Sequence, residues 1–142
     1  MAPGRGQLQA AAASVYERAR LRRGRTLAVL ESVLEGLTAQ RGRKAVLLVS
    51  EGFIQEPGLP EMREVAAASA RANAAVYFLD ARDAAPPGAH AADSGLAVES
   101  RDLTGFLDEQ QHLDDGAESV AADTGGETLR NDLAAAWGRV AE

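Results

Sequence analysis

A chain of 142 residues, 46% hydrophobic and 25% charged, is long enough to bury one core and has the makeup of a single globular domain. The absence of cysteine excludes disulfides and thiolate metal sites, and an aromatic content of 4% argues against a surface that stacks nucleic-acid bases. No apolar run approaches the ~20 residues of a membrane-spanning helix, and the amino terminus has no apolar stretch of signal-peptide type.

The net charge of −6 is unevenly spread. Residues 1–44 carry nine Arg or Lys against three Glu, a balance of +6; the remainder carries six Arg against eighteen acids, a balance of −12. A basic segment of this kind can meet phosphate polymers, but a solvated helix face beside an acidic domain explains it first.

Residues 7–23 are Ala-rich, with Leu8, Ala12, Val15, Ala19 and Leu21 or Arg22 near helical spacing, so a helix is expected. Gly24 is expected to interrupt it, and Thr26 to cap a second helix whose stripe is Leu27, Leu30, Val33, Leu34 and Leu37. Gly42 ends that helix. The segment 45–49, five apolar residues without alternation, reads as a strand covered on both faces, the mark of a parallel sheet between helices. Such sheets place ligands beyond their carboxyl ends, where this strand has Ser50, Glu51 and Gly52.

A loop marked by Pro57, Gly58 and Pro60 leads to a helix ending near Asn73, with Glu61 and Glu64 in its first turn and Met62, Val65, Ala66 and Ala70 inward. Residues 74–79 form a second apolar strand closed by Asp80. From 81 to 104 there is no periodicity, and a mobile loop is expected, with a short strand at 95–98. Helix returns over 103–122, bent or divided at Gly116, and stops at Thr124-Gly125-Gly126. A short strand at 127–130 and a last helix at 132–140, capped by Asn131, complete the chain.

The alternation of helix and strand implies an α/β fold: a Rossmann-like parallel sheet of about three strands with helices on both faces. The most hydrophobic strand comes first, yet such strands sit in the middle of a sheet, and with only three strands this one would lie at an open edge. The sheet therefore reads as incomplete, its missing strands lying upstream or on another chain. Residues 1–24 read as an amino-terminal helical segment and 25–142 as a partial domain.

GRKAVLLVSEGF, AAVYFLDAR, AESVAADTGG and NDLAAAWGRVAE, in that order and spacing over about residues 25–142, resemble the carboxyl-terminal half of the von Willebrand factor type A domain, in the related bacterial family first grouped from acidobacteria. The resemblance implies a doubly wound sheet with a metal-ion-dependent adhesion site at its carboxyl edge. It implies Mg²⁺ at a site including Ser50 and Glu51, with Glu where the family usually has Asp, and Thr26 as the counterpart of the family's second-loop Thr. The family's DxSxS motif has no counterpart here, nor has a further segment beyond Glu142, so the chain reads as a fragment or as a member without its front half. The expected function is non-enzymatic protein binding of the adhesion or assembly type, with self-association through the open sheet edge as one form. Export is common in the family.

A metal-independent scaffold is the alternative, in which Thr26 is a helix cap and Glu51 a solvated loop residue. A third reading takes Ser50, Asp80 and His112 as the nucleophile, acid and base of an α/β-hydrolase. Against it, position 48 is Leu where a nucleophile elbow needs Gly, and His112 falls mid-helix. Thr124-Gly125-Gly126 as a phosphate cradle, and Asp108, Glu109, Asp114 and Asp115 as a Ca²⁺ site, give way to a helix-stop turn and a wet helix face.

Overall fold

A computed structural model of the chain describes residues 4–56, 58–82, 115–130 and 137–140. It is an α/β structure with a three-stranded parallel sheet flanked by helices, its elements being α1 (Arg5–Leu37), β1 (Lys44–Ser50), α2 (Pro60–Ala72), β2 (Ala74–Asp80), α3 (115–123) and β3 (Thr128–Leu129), followed by a helical turn at 137–140. The expected loop at 81–104 beyond Arg82, the strand at 95–98, the helix before 115, the Asn131 cap and His112 lie outside the described residues.

Strand order is β1-β2-β3, all parallel, with seven residues of β1 in register from Lys44 opposite Ala74 to Ser50 opposite Asp80. Each step moves across the sheet in one direction, and right-handed crossovers then place the connecting helices on one face. Leu27, Leu30 and Leu34 of α1, Val65, Ala68 and Ala72 of α2, and Ala117, Val120 and Ala121 of α3 accordingly share one core with Val76 and Phe78, joined by Val46 and Leu48 of β1. The opposite face is smaller: Leu79 and Leu129 are buried there beside Leu47, Tyr77 and Val140. An ion pair between Arg139 and Glu127 (2.7 Å) ties the last turn to the approach to β3.

Three expectations are corrected, on α1, β1 and α2. The first concerns α1, which runs unbroken through Gly24 and Thr26 for 33 residues. The ~1 kcal/mol cost of a mid-helix glycine is outweighed because Arg23 on one side and Leu27 on the other are both buried on the same helix face. No helix starts at Thr26, whose hydroxyl instead donates to the Arg22 carbonyl (3.1 Å), and the division at residue 24 falls inside a continuous helix. On α1 the buried stripe is Leu27, Leu30 and Leu34, while Val33 is exposed.

The second concerns β1, which is not the doubly covered strand. Among the described residues it pairs on one side only, is half-buried along much of its length, and exposes Ala45 and Val49. The covered strand is β2, buried at every residue except the half-buried Tyr77 because it has a neighbour on each side. On α2 the buried positions are Val65, Ala68, Ser69 and Ala72 rather than Ala66 and Ala70. In an Ala-rich helix the inward face is poorly marked, and here the Ser69 hydroxyl settles it by donating to the Ala74 carbonyl.

Local chemistry explains the boundaries. Pro60 suits the first turn of α2, where its missing N–H is not needed, and Asn73 in the left-handed conformation ends that helix directly before β2. At the end of α3 the Thr124 hydroxyl accepts from the Val76 N–H (2.9 Å) and donates to the Ala121 carbonyl (3.1 Å), joining the helix stop to β2. Gly126 must lack a side chain, since a Cβ there would lie 1.9 Å from the Val76 carbonyl oxygen.

Candidate functional site

Two places on the fold carry the chemistry read from the sequence, and they adjoin. The first is the carboxyl rim, where β1 and β2 end side by side at Ser50 and Asp80. Ser50 Oγ accepts from the Gly52 N–H (3.1 Å), and Gly52 takes a positive φ of 84° that favours glycine, so the chain turns sharply out of β1. Glu51, at the tip of that turn, is exposed.

Asp80 is buried and held by Arg82, whose Nε and Nη2 meet both carboxylate oxygens at 2.6–3.0 Å while its backbone N–H donates to Oδ1. Burial pushes the Asp80 carboxyl up, but the hydrogen bonds and charge of Arg82 outweigh it and hold the group below its ordinary value. A carboxylate engaged this way is committed to its arginine.

The second place is the open edge of β1 beneath α1. Val29, Leu30 and Val33 of α1 and the stretch Val46, Leu47 and Leu48 of β1 line a groove of about 430 Å³, with Arg25 and Thr26 at one end. Lys44 N–H donates to the Asn73 carbonyl and Ser50 C=O accepts from Ala81, so the even-numbered residues of β1 face β2. The main-chain groups of Ala45, Leu47 and Val49 therefore point to the open edge.

The level of α1 against the sheet is set by Arg23, which is buried, donates to the Ile54 carbonyl and pairs with Glu56 at 3.2 Å. Tyr16, two turns back, donates to Glu56 as well (2.5 Å). That bond, made to an anion, raises the Tyr16 pKa, and the same bond together with the Arg23 contact lowers that of Glu56. Beyond Arg23 the helix is almost wholly exposed and projects past the carboxyl rim.

The structure thus places Ser50 and Glu51 in one turn and Thr26 on α1 at the end of the groove. Mg²⁺ calls for about six oxygens in near-octahedral array. Ser50, Glu51 and Thr26 offer one carboxylate and two hydroxyls, one hydroxyl already donating within its own helix, and that set does not fit the ion. Among the described residues no group of three His, Asp or Glu side chains is arranged to hold a metal.

Sequence reasoning missed Arg23, Glu56 and the groove-facing role of Val29 and Val33. A signal for the latter was present: Leu8, Ala12, Val15, Ala19, Arg22, Thr26, Val29 and Val33 alternate at spacings of four and three, a second stripe beside the buried one. None of these eight is fully buried in the structure.

Compared with protein-family models, curated proteins and solved structures, the chain finds no match.

Proposed function

We propose that this chain is a non-catalytic protein-binding module, of the adhesion or assembly kind that the type A resemblance implies, and that it engages its partner at the open edge of β1 without a metal ion. The observation that carries this reading is the edge itself: seven residues of regular strand, unpaired on one side among the described residues, next to an apolar groove. Exposed edges of this length are normally blunted by proline, bulges or charge. Here β1 has no proline and an unbroken register with β2, and its one charged residue, Lys44, turns its ammonium to the Ala72 carbonyl. An unguarded edge is suited to pairing.

Catalysis finds less support. Ser50 follows Leu48 rather than the glycine of a strained elbow, and Asp80 is bound to Arg82. Among the described residues no helix is long and apolar enough to cross a membrane.

The test is site-specific photo-cross-linking in a native extract. A photoreactive residue at Val29, inside the groove, is expected to give a discrete heavier adduct; the same residue at Arg63, on the exposed side of α2, is not. Equal labelling from both positions, or none from Val29, refutes the reading.

A further inference from the structure

The groove and the helix above it also define what the partner must look like. On α1 the groove side carries Val29 and Val33 where the helix overlies the sheet, and one to three turns nearer the carboxyl rim Arg25, which lines the groove, is followed at helical spacing by Arg22 and Arg18. These three arginines are exposed or at the groove's end, and among the described residues none of them forms an ion pair. Glu51 is the acidic side chain on the turn at that end. The edge groups of Ala45, Leu47 and Val49 accept a strand, the apolar groove accepts its alternate side chains, and the arginines call for negative charge where that strand leaves the rim.

We infer that the occupant is an extended segment of another protein, apolar at alternate positions, that adds to β1 as a fourth strand and carries a cluster of Asp or Glu at the end lying by the carboxyl rim. This inference rests on the protein-binding reading above. A second copy of the chain fits less well. A two-fold pairing of β1 edges is antiparallel and, with Ser50 opposite the copy's Lys44, sets Glu51 opposite that copy's Arg43. That pairing matches Glu51 but brings only Arg43 and Lys44, and no acid, to the end where Arg18, Arg22 and Arg25 lie.

Three fluorescein-labelled peptides test the inference by anisotropy: SVTVTVDDE and DDEVTVTVS, with acid at either end, and SVTVTVNNQ as the neutral control. One acidic peptide is expected to bind about tenfold tighter than the neutral one at low salt, three rim ion pairs of ordinary surface strength multiplying to that factor. Which acidic peptide binds gives the strand direction. Arg22→Glu with Arg25→Glu is expected to abolish or invert the preference.

In the wild type, hydrogen exchange at the Ala45, Leu47 and Val49 amides is expected to slow on binding, which needs no variant to fold. Leu47→Pro removes an outward N–H at an edge that tolerates proline, and is expected to lose binding with its melting curve retained. Equal affinity for acidic and neutral peptides, binding without protection of those three amides, or a dimer in sedimentation that Leu47→Pro dissolves would each overturn the inference. If no peptide binds while the Val29 cross-link still forms, the strand inference falls and the protein-binding reading stands. If the cross-link fails too, both fall.

Discussion

Replacing Thr124 by valine tests how the sheet is joined to α3. Valine has the shape of threonine without the hydroxyl, so packing is nearly preserved while two hydrogen bonds are lost. The consequences at their two ends differ. The Ala121 carbonyl keeps the Gly126 N–H at 2.8 Å, so it remains satisfied. The Val76 N–H, on a residue with no solvent exposure, loses the acceptor the Thr124 hydroxyl gives it. One buried donor left without a partner costs about 1–3 kcal/mol. With a urea m-value of roughly 1–3 kcal/mol/M, the midpoint should fall by about 1 M at an unchanged m. Thr124→Ser keeps the hydroxyl and should remain within about 1 kcal/mol of wild type, and the Val76 amide should exchange faster in the valine variant alone. A valine variant within about 0.5 kcal/mol of wild type, with the Val76 amide still protected, would falsify the assignment of that hydroxyl as a ladder substitute.

Gly126→Ala forces a Cβ against the Val76 carbonyl and should cost about 3 kcal/mol or more, read by the same urea titration; a near-neutral result means that the turn shifts freely. Because Arg82 lowers the Asp80 pKa, the folded state gains stability above the unfolded carboxylate range and loses it as pH falls through the folded value. Asp80→Asn should therefore flatten the acid limb of a melting-temperature profile below about pH 4, and an unchanged profile would count against the pair. Tyr16, its pKa raised by Glu56, contributes stability below its unfolded value of about 10, which is lost as pH rises through the folded value. In ultraviolet titration Glu56→Gln should shift the Tyr16 ionisation to lower pH, with Tyr16→Phe identifying the signal. Millimolar Mg²⁺ should move the melting temperature by less than about 1 °C in both wild type and Glu51→Ala; a rise confined to wild type would restore the adhesion-site reading.

Much of this protein could be read from local chemistry. The runs at 45–49 and 74–79 announce strands, Pro60 and Asn73 frame α2, and Gly125 with Gly126 stops α3, because each depends on propensity or backbone geometry close in the chain. The alternation of these elements is enough to set a parallel sheet, while the order β1-β2-β3 of the described strands comes from the structure.

Burial is a different matter, since it depends on what lies across space. An apolar run looks the same whether one neighbour or two flank it, so only the tertiary structure assigned the covered position to β2 and the half-open one to β1. Gly24 and Thr26 suggested a helix break, and the local cost of a break-prone glycine is small. Arg23 reaching Glu56 and Leu27 reaching the core, on either side of it, held α1 in one piece. The candidate site followed the same division. Ser50 and Glu51 were legible because a strand's outgoing turn is a local feature. The groove was not, because Val29 and Val46 lie in different elements and meet only when α1 is laid on the sheet by packing that no local pattern records.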